Sequence, residues 1–202
     1  MKNQLFQFSI STPDGPFIAG YSAKGLAELR FPSVGRASSR AVESRRRGNE
    51  SQLFDSKIRT PHSELIRDSS RRLLQIPTQV LRCHRKTVAA LKSALAGRKP
   101  KNLPPLDLAG TEFQKCVWNA LRRISTGQTK SYGEVAQAIG KPKAVRAVGG
   151  ACGANPVPVL VPCHRVLAAQ GKIGGFGGGL DWKRRLLARE GICLQPQGGD
   201  RQ

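Results

Sequence analysis

Apolar and polar positions first alternate along the chain with a period of two. Phe6, Phe8 and Ile10 stand between polar neighbours, and Thr12-Pro13-Asp14-Gly15 carries turn chemistry. The run resumes at Phe17-Ile18-Ala19-Gly20-Tyr21, turns again near Lys24-Gly25 and continues from Leu26 to Phe31, which predicts a short β-meander. From about Ser33 to His62 the chain is rich in Ser and Arg and poor in large apolar residues, so a mobile connection is expected there. Between Val80 and Ala96 the period becomes helical, with Leu81, Val88, Leu91 and Leu95 on one face and Gly97 as the stop. Arg98 to Leu106 bears prolines and no periodicity, which suggests a linker and a domain boundary, giving units at 1–100 and 101–202.

The second half is more sharply punctuated. Thr111 and Gln114 form a capping box ahead of Phe113, Val117, Leu121 and Ile124 on one helical face. Ser131 and Glu134 form another, opening a short helix through Ile139 that Gly140 ends, and Pro142 stands where a third helix should begin. Two helices joined by a tight turn suggest helix-turn-helix. The third, Lys143 to Ala151, projects one long side chain, Arg146, among small ones. Such a helix either lets its backbone approach another surface or packs tightly inside the protein. Asn155 to Val166 is expected to be buried and extended, with Pro162 holding Cys163 in a stiff frame. A glycine-dense loop, Gly171 to Gly179, then leads to a last helix, Trp182 to Glu190, capped by Asp181 and ended by Gly191.

Charge and cysteine content narrow the chemistry. A length of 202 residues allows one large or two small domains. Against 34 Lys and Arg there are 13 Asp and Glu, a formal charge of +21. Such a surplus favours a polyanion, nucleic acid ahead of an anionic membrane surface, because each neutralised phosphate releases counterions. The basic run around Arg45-Arg46-Arg47 is then either a solvated loop or a DNA-binding arm. No apolar stretch approaches a membrane span, and the start lacks a signal peptide's apolar core, so a soluble intracellular protein is expected. Five cysteines without framework spacing argue against a disulfide scaffold and leave room for a working thiol.

Cys163-His164 is the candidate. A thiol attacks as its thiolate and needs a base or a positive neighbour, which His164 supplies. Adjacent side chains on a strand point to opposite faces, so His164 is expected to reach the thiol through a water. A carboxylate behind the imidazole would set its tautomer, but local sequence does not choose which acid. Zinc is the rival use of Cys83-His84 and Cys163-His164, and neither pair has ligand spacing, so no metal is expected. Cys116, Cys152 and Cys193 are expected to be packing residues.

The run Pro162-Cys163-His164-Arg165-Val166, preceded by Asn155-Pro156 and by Arg146-Ala147-Val148-Gly149, resembles the signature of the O6-alkylguanine-DNA alkyltransferases. The likeness is close from about Leu103 to Leu194 and looser over Phe6 to Phe31. It implies an α/β amino-terminal domain, ribonuclease-H-like in outline, and a mostly helical winged-helix carboxy-terminal domain. The implied activity is DNA repair by single-turnover transfer of an alkyl group to Cys163, with His164 as water-mediated base and Glu190 orienting it. The small-residue helix, with Ala144, Ala147 and Gly149, is implied to bind the minor groove, Arg146 filling the place of an extruded nucleotide. Tyr132 is implied to promote flipping and meet N3 of guanine, and Asn155 to brace the turn. Val166 and Gly177 are implied to hold the base through backbone groups, and Pro158 and Gly174 to line the alkyl pocket.

The same resemblance implies no cofactor, no membrane partner, and a monomer acting on double-stranded DNA containing O6-alkylguanine. The compartment would be the cytoplasm, associated with the nucleoid, or a nucleus in a eukaryote. Two positions depart from the family pattern. Gly153-Ala154 stands where relatives often carry a polar residue before the Asn-Pro pair, and Gly177 stands where some have Ser, leaving only a backbone N–H for O6. The competing class is a winged-helix protein that recognises lesions without transfer chemistry, and the thiol at Cys163 distinguishes the two.

Overall fold

The computed structural model describes residues 5–32 and 76–194. The serine- and arginine-rich run expected to be a mobile connection lies outside the described residues. Strands β1 (Phe6–Ile10), β2 (Phe17–Tyr21) and β3 (Leu26–Arg30) form the meander that the alternation predicts, antiparallel and in chain order. Gly15 makes the first turn possible: its N–H donates to the Thr12 carbonyl at 3.0 Å with φ at 106°, a conformation favouring glycine. Phe17, Ala19 and Tyr21, every second residue of β2, are fully buried.

Helix α1 (Thr78–Leu95) packs against all three strands. His84 stacks on Phe8 with ring centroids 4.6 Å apart, and its Nδ1 lies 3.0 Å from the Tyr21 hydroxyl, so the imidazole of Cys83-His84 is a packing group. The buried face of α1 runs through Val80, Cys83, Thr87, Leu91 and Ala94. Leu91 and Leu95 are buried as expected, but Leu81 is exposed and Val88 half-buried. The true face is turned by about one residue because Thr87 fits the core by donating its hydroxyl to the Cys83 carbonyl at 2.9 Å.

The expected linker reaches the sheet. Leu26 N–H donates to the Pro105 carbonyl and Asp107 N–H to the Leu26 carbonyl, both at 2.9 Å. Asp107 also accepts from the Ser22 hydroxyl at 2.6 Å. Helices α2 (Glu112–Leu121) and α3 (Tyr132–Ala138) both open with complete capping boxes, at Thr111/Gln114 and Ser131/Glu134. Helix α4 (Val145–Gly153) packs across both. It starts three residues after Pro142, because Pro142 lies in a turn and Ala144 donates back to Lys141. Trp118, with Val117 and Leu121, is buried and donates its indole N–H to the Ala151 carbonyl at 2.9 Å.

Strands β4 (Lys130–Ser131) and β5 (Val166–Leu167) pair in parallel. This short pairing ties the start of α3 to the residues just after Cys163. Helix α5 (Leu180–Arg189) buries Trp182, Lys183, Leu186 and Leu187. Its cap is Gly179; Asp181 lies inside the first turn with an exposed side chain, where it complements the helix dipole without capping. Trp182 meets Phe17 and Phe31 at 5.6 and 4.8 Å, and Arg189 forms a two-pronged ion pair with Asp14 at 2.7 and 2.8 Å. Cys152 is buried as expected, whereas Cys116 and Cys193 are exposed. Cys116 sits one helical position before the buried Val117-Trp118 face.

Gly97 ends α1 with φ at 69°, and a Cβ there would overlap the backbone carbonyl of Arg189. Gly140 has a similar φ, 71°, with open space where a Cβ would go. Gly140→Ala is therefore expected to cost only the left-handed penalty, about 1–2 kcal/mol. Gly97→Ala should cost about 3 kcal/mol or more, because two backbones must separate. Urea unfolding of both variants checks this; equal losses would show that α1 and α5 do not meet at Gly97.

Candidate active site

Asn155 organises the segment that carries the thiol. Its Oδ1 accepts from the Val157 N–H at 3.0 Å, and its Nδ2 donates to the Val161 carbonyl at 2.8 Å and to Cys163 Sγ at 3.1 Å. These bonds hold Val159, a buried β-branched residue, at φ 73°, a conformation that costs about 1–3 kcal/mol. Pro162 has φ −81° and ψ 63°, and Cys163 N–H donates across it to Val161 at 2.8 Å. That is an inverse γ-turn, which the proline ring favours by fixing φ. The chain then makes a 3₁₀ turn over Cys163–Arg165 in place of the expected extended strand. With three residues per turn, Cys163 and His164 no longer project to opposite faces.

Cys163, His164 and Arg165 are all buried. His164 Nε2 lies 2.9 Å from Glu190 Oε1, so the ring donates its proton there and Nδ1 carries the lone pair. Nδ1 is buried and bonds to no protein group among the described residues. Burial pulls the His164 pKa below its ordinary value, against the upward pull of Glu190, which keeps the imidazole neutral and able to take a proton. Burial also raises the Cys163 thiol, opposed chiefly by the Asn155 hydrogen bond. A thiol so placed keeps its proton until a neighbour removes it.

Glu190, at the end of α5, answers which acid stands behind the imidazole. Arg165 donates to both its oxygens, Nε to Oε2 and Nη2 to Oε1, each at 2.9 Å. Burial pushes this carboxyl up, but the bonds from His164 and Arg165 more than compensate and hold it at about 2. Arg165 spends its remaining donors on the Ile124 carbonyl at 2.6 Å and the Thr126 hydroxyl at 3.1 Å. Sequence reasoning leaves Arg165 without a role, since nothing local shows that its guanidinium is buried.

Tyr132 and Gly174 come together: a Cβ on Gly174 would lie 3.2 Å from the Tyr132 hydroxyl, and Gly174 has φ 64°. Burial raises the Tyr132 pKa, with further upward pulls from Cys152 and Cys163, so its hydroxyl remains a donor. Gly177 lies beside the end of α4, 3.7 Å from Gly153 O by the same measure. Val166 is fully buried and Pro158 is half-buried, bridged across the turn to Val161. Pro158 stands outside the hydrogen-bonded set around the thiol.

Sequence reasoning also misses Lys183. Fully buried, it donates to the carbonyls of Val166 at 2.7 Å, Ile173, and Gly175 at 3.3 Å, and so pins the glycine loop to the strand after Cys163. Burial lowers its pKa to about 8. A signal exists in the sequence, because a lysine at 183 shares a helical face with Leu186 and Leu187.

Helix α4 turns Val148, Ala151 and Cys152 inward and leaves Arg146, Ala147 and Gly150 exposed, with Ala144 at its cap and Gly149 half-buried. A Cβ on Gly149, Gly150 or Gly153 would meet nothing within 4 Å. Tight interior packing therefore does not account for these glycines, and of the two readings of this helix the structure favours a surface open to close approach.

A buried, hydrogen-bonded thiol followed in the chain by a neutral imidazole backed by a carboxylate has the parts of a cysteine nucleophile, in a protein where α3 and α4 are joined by a short turn. Residues 112–192 match the family model described as the DNA-binding domain of 6-O-methylguanine DNA methyltransferase. A methylated-DNA–protein-cysteine methyltransferase of Mycolicibacterium paratuberculosis is 60% identical over 85 residues, 42% of this chain and 52% of that protein. The inducible protein of the same name from Bacillus subtilis is 52% identical over 96 residues, 48% of this chain and 54% of its own. The chain thus matches about half the length of these curated relatives. The crystal structure of Mycobacterium tuberculosis OGT in complex with DNA is similar over 90% of both chains, with 35% identity and a TM-score of 0.61. The chain belongs to the O6-alkylguanine-DNA alkyltransferase family. Its described residues have the mixed α/β architecture of these neighbours, and no described helix is long and apolar enough to cross a membrane.

The Glu190 carboxyl is held near 2 in the folded chain, against an ordinary 4.5. In that window the unfolded chain binds more protons, so the stability Glu190 contributes is complete above pH 4.5 and is lost as pH falls through 2. Glu190→Gln leaves Arg165 buried without its counter-charge and is expected to cost about 3 kcal/mol or more at neutral pH. Chemical unfolding at stepped pH should show a steep acid loss in the wild type and a shallower one in the variant; identical pH slopes would contradict the assignment.

Proposed function

We propose that this chain repairs DNA by moving an alkyl group from O6 of guanine onto Cys163, once per molecule. The observation that carries the reading is the 3₁₀ turn that holds in succession a buried thiol, bonded by Asn155, and a neutral imidazole whose far nitrogen is held by Glu190. The Cys163 proton passes through a water to His164 Nδ1 while Sγ attacks the alkyl carbon in line. The S–C bond forms as the C–O6 bond breaks, and guanine leaves as an anion whose charge is matched by the new imidazolium beside Glu190. Tyr132, kept neutral by burial, donates to N3 of the departing base. Backbone groups at Val166 and Gly177 hold the base, and Pro158 and Gly174 border the alkyl group. The protein itself is the acceptor, so no cofactor enters the chemistry. A thioether does not hydrolyse under cellular conditions, and each molecule reacts once.

Duplex DNA would meet α4, whose glycines leave room for the groove wall. Ala144, Ala147 and Gly149 let the helix backbone close on the minor groove, while Arg146 fills the stack behind the flipped base. We read residues 1–100 as a ribonuclease-H-like domain and 101–202 as a winged-helix domain. The protein acts as a monomer in the compartment that holds the DNA. The α3–α4 pair, the β4–β5 ladder and the glycine loop support the winged-helix part.

Wild-type protein mixed with excess O6-methylguanine duplex should gain one methyl, located on Cys163, and stop, whereas Cys163→Ala should bind DNA and gain none. Intact-mass spectrometry with peptide mapping reads both, and continued turnover or a methyl elsewhere would defeat the mechanism. Arg146→Ala should slow transfer from duplex about tenfold or more, as expected if the side chain offsets about 1.4 kcal/mol of unstacking. Transfer from the free base O6-benzylguanine should change little. Single-turnover rates on the two substrates decide it, and equal losses would remove Arg146 from base flipping.

A further inference from the structure

From Pro77 to Leu106 the chain has seven Lys and Arg and no Asp or Glu. On α1, Arg82, Arg85, Lys86 and Lys92 are exposed and fall within about 120° of helical arc, opposite the sheet-facing residues. Arg98, Lys99 and Lys101 follow, also exposed. With Asn102 and the small residues Ala89, Ala90 and Ser93 they line a cleft of about 600 Å³. Lys99 borders a second hollow of about 130 Å³ whose wall includes Arg122 and Arg123, so the basic rim continues onto the end of α2.

None of these nine cations has a carboxylate partner among the described residues. Other cations are paired, Lys115 with Glu112, Lys130 with Glu134, and Arg185 and Arg189 with Asp14, while Lys143 and Arg146, before and on α4, are like these nine without a carboxylate partner among the described residues. A solvated helix face ordinarily intersperses acids with its lysines, because like charges at helical spacing repel. Among the described residues no acid offsets this repulsion around a concave floor of small side chains, an arrangement suited to a polyanion. The residues lie on α1, on the segment after it and at the end of α2, whereas Arg146 lies on α4.

We infer that this cleft and its rim bind phosphates of duplex DNA, a contact additional to that made by α4. The inference rests on the repair reading only in naming DNA as the polyanion. Lys and Arg reaching phosphates carry no base code, so the surface adds affinity and dwell time on undamaged duplex, independent of sequence.

The test uses the full chain and an unmodified duplex, with binding measured by fluorescence anisotropy over a series of salt concentrations. Replacing Arg98, Lys99 and Lys101 together by Gln should reduce the slope of log K against log salt by about 2–3, near 0.9 for each phosphate no longer neutralised. A control with Arg30→Gln and Lys115→Gln, both ion-paired cations, should leave the slope close to wild type. An unchanged slope in the triple variant overturns the proposal. So does sedimentation of wild type, but not the triple variant, with phosphatidylserine vesicles when the DNA slopes are equal; that result would assign the surface to membranes. Methyl uptake by Cys163 from a short O6-methylguanine duplex at low salt is read on the same samples. Absence of uptake in both proteins would defeat the repair reading while the slopes still decide the phosphate surface.

Discussion

Glu190 puts a negative charge where water does not reach, and much of the surrounding structure answers to it. A buried carboxylate without partners costs several kcal/mol, so it persists only with excellent hydrogen bonding. Arg165 meets both of its oxygens, His164 meets one, and the remaining Arg165 donors run on to Ile124 and Thr126. One carboxylate thereby ties the end of α5 to the 3₁₀ turn and to the loop after α2. The same contacts set the imidazole's tautomer. The bonds that stabilise this region and those that set the imidazole's tautomer belong to a single ion cluster, and a change at Glu190 would disturb both.

Lys183 plays the corresponding part for the glycine loop. Its ammonium sits among three carbonyls, two of them in that loop. Gly178 lies so close to Phe31 that a Cβ would come within 2.6 Å of the ring, and Phe31 in turn meets Phe176 and Trp182. The loop is therefore fastened at both ends. Between those fastenings Gly174 passes the Tyr132 hydroxyl. The β4–β5 pair fixes the remaining distance by joining the start of α3 to the strand after Cys163.

The acids explain why so much positive charge is left outside. Each of the seven Asp and Glu among the described residues has a partner: Asp14 with Arg189, Glu28 with Arg30, Asp107 with Ser22, Glu112 with Lys115, Glu134 in its capping box, Asp181 with Arg184, Glu190 in the ion cluster. None of these seven is paired with a cation of α1 or α4. The surplus of cations is thus distributed toward surfaces that a polyanion can reach.

How much of this is legible before folding depends on the range of the interaction. The meander, both capping boxes and the glycine stops at Gly97, Gly140 and Gly191 follow from rules that act over two to four residues, and the structure has them all. The Cys163-His164 pair proposed as nucleophile and base is legible as adjacent residues, and the composition points to a polyanion. Local rules fail where a tertiary interaction overrides them. The face of α1 is turned because Thr87 satisfies its hydroxyl in the core, and the strand expected at Cys163 becomes a 3₁₀ turn through the Pro162 γ-turn and the Asn155 bracing. Cys116 lies on the exposed side of its helix by one position. The carboxylate behind His164 and the burial of Arg165 could not be read from spacing, since the partners stand 25 or 26 residues apart, whereas Lys183 is signalled by its helical face but its backbone-carbonyl partners are not. Sequence determines which groups are present and what each short segment prefers; only the closed chain decides which charges lose their water, and those are the ones whose partners and protonation set the chemistry.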